Sequence, residues 1–205
     1  GTLAERDNVP GSLVRHEITP AEVSAGVSIV NHSYPPGHVY RYGTNTTPGT
    51  TDMTTAFQNA ALCSLNPYAP GDSYLITGSI PLRANQHWRL DGARIFITGT
   101  TVKVFTVAAG IDDWSILGNW TVTGDNDSAG ATSGTAAALS IIDSMRYRVE
   151  GLVAKNISGY GILIAPGSST STRSEHGQII APHAYACYRG IEVQAGTGAE
   201  YVTIV

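Results

Sequence analysis

Charge is sparse in this chain of 205 residues: Lys and Arg number 12 and Asp and Glu 16, together 14% of the sequence, for a net charge of −4. Soluble domains average about 25% charged residues, so the supply needed for charged amphipathic helices is missing. The 23 glycines, with abundant Ser and Thr, point instead to strands and tight turns. The basic residues are scattered singly. Without a basic run to neutralise a phosphate backbone, and with an acidic balance, no nucleic-acid partner is expected. No apolar stretch approaches the roughly 18 residues of a membrane span, and Gly1-Thr2-Leu3-Ala4-Glu5-Arg6-Asp7 lacks the charged-then-apolar layout of a secretory signal. No membrane partner is expected. Cysteine is equally scarce: Cys63 and Cys187 lie too far apart in sequence for a disulfide framework, and their apolar neighbours predict buried free thiols. Four Asn-x-Ser/Thr triplets start at Asn31, Asn45, Asn119 and Asn156, a pattern frequent by chance in Ser/Thr-rich sequence, and none is expected to carry a glycan.

Motifs for several chemistries are also missing. The sequence has no HExxH and no paired CxxC, and its six histidines are spread singly, so neither a metal nor a cofactor is expected. Asp125-Asn126-Asp127-Ser128-Ala129-Gly130 begins like a calcium loop, but Ala129 stands where the third ligand belongs and Ala136 where the bidentate glutamate belongs. A phosphate loop and a nucleophile elbow are absent.

What is present falls into two parts: a neck-like connector, residues 1–42, and a strand-rich region, 43–205. In the first, Thr19-Pro20-Ala21-Glu22 reads as a capping box with Pro at the first helical position, and Gly26 can end the short helix in the left-handed conformation. The connector is too short to bury Leu13, Val14, Ile18, Val23, Val27, Ile29 and Val30 by itself. In the second, Thr51–Leu62 places Met53, Ala56, Phe57, Ala60 and Ala61 on one helical face, with Thr51 or Asp52 as the N-cap. This helix reads as a lid on an apolar end.

Beyond Tyr74 the chain repeats. Trp88-Arg89-Leu90-Asp91-Gly92, Trp114-Ser115-Ile116-Leu117-Gly118 and Tyr147-Arg148-Val149-Glu150-Gly151 align as aromatic, polar, aliphatic, variable, Gly, with a fainter copy ending at Gly177. The glycines lie 26, 33 and 26 residues apart. A second strand follows each Gly (94–97, 120–122, 152–154, 178–180), and a third follows that (103–107, 138–142, 161–164, 190–193). Three strands in about 26 residues leave no room for a crossover helix, so equivalent strands must stack in parallel as a β-solenoid of about five coils. Helix 52–62 would cover the first open edge. The final segment, Glu200 to Val205, reads as the start of a fresh turn, and the natural protein is expected to continue.

Tyr42-Gly43-Thr44-Asn45, then Thr50-Thr51-Asp52-Met53-Thr54-Thr55-Ala56-Phe57-Gln58-Asn59-Ala60, then Tyr74-Leu75-Ile76-Thr77-Gly78-Ser79-Ile80-Pro81-Leu82 resemble the entry segment of pectate-lyase-like right-handed β-helix proteins. Residues 21–39 resemble the linker before such β-helices in bacteriophage tailspikes. The resemblance implies an all-β, right-handed parallel β-helix with three strands per turn, a short capping helix and an extended or helical connector. It further implies a homotrimer on the phage virion, attached to tail or baseplate proteins through its N-terminal side. Such a spike recognises a bacterial surface polysaccharide outside the cell and usually degrades it, by hydrolysis or β-elimination. A non-enzymatic receptor-binding spike and a monomeric polysaccharide lyase are the alternatives.

Strand alternation turns Leu90, Ile116 and Val149 inward and leaves Arg89, Asp91, Arg148 and Glu150 outward. Asp91 and Glu150 would then lie two turns apart, about 9.6 Å, at or past the limit for an inverting carboxylate pair. The four read as a solvated ladder first and a catalytic set second, with catalysis expected outside this chain. Trp88, Trp114 and Tyr147 share one column in this alignment and are expected to stack in the core. Tyr160, Tyr185 and Tyr188 fall near turns and are the candidates to meet sugar.

Overall fold

The structure is a computed structural model that describes residues 15–125, 134–166, 176–194 and 202–205. Among the described residues, sixteen strands form three all-parallel sheets in which every third strand stacks on its predecessor. Sheet A holds β1 (Tyr68–Ala69), β4 (His87–Leu90), β7 (Ser115–Leu117), β10 (Arg148–Glu150), β13 (Gln178–Ile180) and β16 (Thr203–Ile204). Sheet B holds β2 (Ser73–Leu75), β5 (Arg94–Phe96), β8 (Trp120–Thr123), β11 (Leu152–Lys155) and β14 (His183–Tyr185). Sheet C holds β3 (Ile80–Pro81), β6 (Lys103–Val107), β9 (Ala137–Ile142), β12 (Tyr160–Ala165) and β15 (Arg189–Val193). Five full coils and the start of a sixth make a right-handed parallel β-helix, with the hand that parallel crossovers take. Its interior is filled by inward residues of all three sheets, among them Ile95, Phe105, Ile116, Val122, Leu139, Val149 and Ile162, each 1% exposed or less.

The lid forms as expected, with one change at its start. α3 (Thr54–Cys63) begins after Met53, and Asp52 is drawn instead into an isolated parallel bridge with Leu75. The Asp52 carboxylate still serves the helix, accepting from the Thr54 N–H at 2.9 Å and from the Thr54 and Thr77 hydroxyls at 2.6 Å. His38 makes the matching bridge to Tyr68, so the segment before β1 builds a partial coil with α3 in place of its third strand. At the lid's far end, Gln86 donates to the Ala61 and Ser64 carbonyls at 2.7 and 2.9 Å, filling helix-end acceptors that would otherwise be buried without a donor.

The connector packs on this partial coil. α1 (Pro20–Ala25) carries the complete Thr19–Glu22 capping box and stops at Gly26, φ 63°. The Glu22 carboxylate is buried and ion-paired with the buried Arg41 of α2 (Val39–Tyr42), and it accepts further bonds from Tyr42 (2.8 Å) and the Thr19 N–H (2.8 Å). Burial alone would raise its pKa. The bonds from Arg41, Thr19 and Tyr42 overcome that and lower it to about 2. Among the connector's apolar residues, Val27 and Ile29 pack on the core, Ile18, Val23 and Val30 are exposed, and Leu13 and Val14 lie outside the described residues.

Register corrects the repeat at both ends. Trp88 pairs with Ile116, and Ile116 with Val149, so the first coil is shifted two residues from the alignment that matched Trp88 with Trp114. Trp114 and Tyr147 do stack, at 5.0 Å and 5°. Trp88 belongs to a different ladder, stacked on Phe57 and edge-on to Phe105, and all three indole and phenol rings are buried. In the last coil, Gln178–Ile180 is the first strand, paired with Arg148–Glu150, and not a second strand following Gly177. The corner taken by Gly151 (φ 63°) recurs at Ala181 (φ 49°). Gly177 answers a different need: a Cβ there would lie 2.1 Å from the Tyr147 ring. Both thiols are free, with Cys63 buried and Cys187 only half-buried.

Candidate functional site

The outer face of sheet A is where polar side chains are brought into rows. Alternation buries Trp88, Leu90, Ile116, Val149 and Ile179 and leaves every second residue facing out. In-register pairing then stacks His87, Ser115, Arg148 and Gln178 in one column, one residue per coil. A parallel column runs through Tyr68, Arg89 and Leu117. On the other flank, the corner entering β4, β7, β10 and β13 is a non-glycine residue in the left-handed region: Asn85, Asp113, Arg146 and His176, φ between 52° and 59°. Four such residues at one position of successive coils form a third column, of polar side chains.

These columns are tied together by short-range electrostatics. His87 Nδ1 lies 3.0 Å from Ser115 Oγ. Arg146 donates through Nε and Nη2 to the two oxygens of Asp113, at 2.7 and 2.8 Å, and those bonds hold the Asp113 carboxyl below its ordinary pKa. Arg89 bonds Asp91 at 2.7 Å and lies 5.9 Å from the centre of the Tyr68 ring. Arg148 Nε bonds Glu150 at 2.8 Å. Two hollows open along this face. One, of about 420 Å³, is lined by Tyr68, His87, Arg89, Asp91 and Leu117, and the other, of about 520 Å³, by His87, Asp113, Ser115, Arg146, Arg148 and Gln178. They meet at His87.

Of the carboxylates and arginines singled out from sequence, Arg89 and Asp91 line the first hollow and Arg148 the second, while Glu150 is held by Arg148 at its margin. Each acid is ion-paired with the arginine two residues before it. The three tyrosines lie elsewhere, near the last complete coil: Tyr185 and Tyr188 are exposed, and Arg189 reaches within 5.9 Å of the Tyr160 ring centre and 5.5 Å of that of Tyr188. The calcium-like stretch falls outside the described residues after Asp125, whose carboxylate accepts from the Gly99 N–H at 2.8 Å. No group of three or more metal-binding side chains occurs among the described residues.

His87, Ser115, Asp113, Arg146 and Gln178 were not visible as site residues in the sequence. A repeat aligned on Trp88 puts His87 out of the frame and away from Ser115. The signal that could have found them is the recurrence of a polar residue just before the aromatic or glycine that leads into β7, β10 and β13: Asp113-Trp114, Arg146-Tyr147, His176-Gly177.

No protein-family model and no curated protein matches the chain. Among solved structures it is similar to the crystal structure of PfbA, a surface adhesin of Streptococcus pneumoniae, with 16% sequence identity and a TM-score of 0.52 over 82% of this chain and 56% of that one. The match spans little more than half the length of that structure, and at this identity it speaks to the fold. The chain is a right-handed parallel β-helix.

Proposed function

We propose that this β-helix is a surface-recognition element of a phage tailspike and that the outer face of sheet A takes up a bacterial surface polysaccharide. The observation that carries this reading is the three-column polar face. A glycan is a repeating chain rich in hydroxyls, and a groove that presents guanidinium, carboxylate, imidazole and amide groups along the solenoid axis matches it group for group, with Tyr68 offering an aromatic edge at one end. The likeness of residues 21–39 to a tailspike linker supports the tailspike setting, and with it a place on the virion, acting outside the bacterial cell. In that setting the spike is a homotrimer joined to other tail proteins on its N-terminal side. Exposed Ile18, Val23 and Val30 on the connector favour association, since neighbouring copies would cover them.

Binding of purified capsule or lipopolysaccharide, measured by calorimetry, tests the reading. Arg89→Ala, Arg148→Ala and Gln178→Ala should each weaken affinity by about tenfold or more, as expected for a hydrogen bond to a charged or amide group. Unchanged affinity in all three would reject the face. A second reading, a binding spike without chemistry, is favoured by the description of PfbA as a surface adhesin. It predicts the same binding with no change in the glycan.

A further inference from the structure

We propose that Ser115 and His87 form a nucleophile–base pair that hydrolyses O-acyl esters carried by the glycan in this groove. The choice of a glycan ester as substrate rests on the reading of the groove given above; the pair itself rests on geometry.

Ser115 is 7% exposed and sits at the lining of the larger hollow, with the exposed His87 beside it on one neighbouring strand and Arg148 on the other. Parallel pairing spaces these residues by about 4.8 Å, so base, nucleophile and cation follow one another in a single column. His87 Nδ1 is within 3.0 Å of Ser115 Oγ, inside the reach a general base needs. In the tautomer with its proton on Nε2, Nδ1 accepts from the hydroxyl. Asp113, fixed by Arg146, stands at the corner just before Ser115 and lines the same hollow as His87 and Ser115.

The same face is poorly equipped for glycosidic cleavage. Asp91, Asp113 and Glu150 are each engaged in an ion pair with an arginine, and the Asp113 carboxyl is held below its ordinary pKa, whereas a general acid must hold a proton. Acyl transfer needs no acidic carboxyl. Ser115 Oγ attacks the ester carbonyl carbon while its proton passes to His87 Nδ1, and the oxyanion that forms lies on the Arg148 side. The carbonyl–oxygen bond to the sugar then breaks, and His87 returns the proton to the departing sugar oxygen. Water attacks the acyl-serine, giving one proton to His87, which hands it back to Ser115 Oγ as the carboxylic acid leaves. One ester and one water become one sugar hydroxyl and one acid.

The test uses the intact chain with a fluorophosphonate probe, p-nitrophenyl acetate, and an O-acetylated capsule beside its de-O-acetylated form. We expect the probe on Ser115 by peptide mass mapping, and acetate release from the ester substrates. Ser115→Ala should abolish both while the variant still melts cooperatively. His87→Gln should slow labelling by about 100-fold or more. An unlabelled Ser115, or ester release that survives Ser115→Ala, overturns the proposal. Capsule binding with no ester release overturns it and leaves the glycan reading standing. Labelling and p-nitrophenyl acetate cleavage without capsule binding would instead uphold the pair and reject the glycan.

Discussion

The ring of Phe57 lies flat on the indole of Trp88, centroids 5.6 Å apart and 11° from parallel. One belongs to the lid helix and the other to the second strand of sheet A, so this contact seats the lid on the barrel-like interior, and both side chains are fully buried. Phe57→Asp would place an unpaired charge in that seat and expose the first strand edges. The variant is expected to be insoluble or to lose cooperative melting. Wild-type solubility and melting would show that α3 does not hold the end closed.

The buried Glu22–Arg41 pair makes the connector acid-sensitive. The carboxyl has a folded pKa of about 2 against an ordinary value of 4.5, so its stabilising contribution is complete above the ordinary value and fades as pH falls toward 2. Wild-type melting temperature should decline across that window, and Glu22→Gln should flatten the decline. Glu22→Ala leaves Arg41 buried without its partner and should cost about 3–5 kcal/mol. Equal acid slopes in wild type and Glu22→Gln would refute the assignment.

Gly177→Ala tests the aromatic ladder. The added carbon meets the Tyr147 ring, which cannot retreat because Trp114 is stacked on its ring system. Overpacking of this kind costs about 1–3 kcal/mol. Urea unfolding should show the loss, and the near-ultraviolet circular dichroism of the stacked pair should change with it.

The two thiols should remain unlinked and react at different rates. Cys63 closes the lid and Cys187 lies between β14 and β15, about five strand spacings or 24 Å down the axis, against the 7 Å limit for disulfide α-carbons. Burial raises both thiol pKa values, but only Cys187 is partly exposed. A thiol reagent should therefore modify Cys187 first in the native protein. A Cys63–Cys187 peptide in a non-reducing map would contradict the coil count.

Purified chain should generate no new reducing ends from capsule, and Asp91→Asn or Glu150→Gln should leave that baseline unchanged, because each acid is committed to the arginine two residues before it. A reducing-end assay in which wild type cleaves and either variant does not would restore these carboxylates as a glycosidic site.

The middle coils were legible because glycine marked their corners. Gly118 and Gly151 take positive φ where sheet A gives way to sheet B, and the spacing between them could be read directly. The last coil departs from the sequence spacing because Ala181 makes that turn without glycine, while Gly177 is present for the Tyr147 ring. Glycine has two unrelated uses here, a backbone angle and a missing side chain, and the letter does not distinguish them. The first coil slipped because Trp88, aromatic like Trp114 and Tyr147, occupies an inward strand position rather than the one before the strand. Register, and hence the meeting of His87 with Ser115, depends on how many residues each corner consumes. The Glu22–Arg41 pair joins residues 19 apart through tertiary packing alone, with no periodic signal to announce it.

The left-handed corner column has a consequence for how such a surface can change. Asn85, Asp113, Arg146 and His176 occupy a backbone conformation in which glycine would be less strained, by roughly 1–2 kcal/mol per residue for most side chains. Their side chains point away from the core that their neighbours Gln86, Trp114 and Tyr147 fill. Exchange among Asn, Asp and His, the residues that tolerate this conformation best, would alter the charge and hydrogen-bonding pattern of the edge one coil at a time while the interior stayed as it is. Surface chemistry and fold stability are thus separately adjustable along this edge, which gives the solenoid a strip whose exposed groups can be exchanged without refolding the coil beneath.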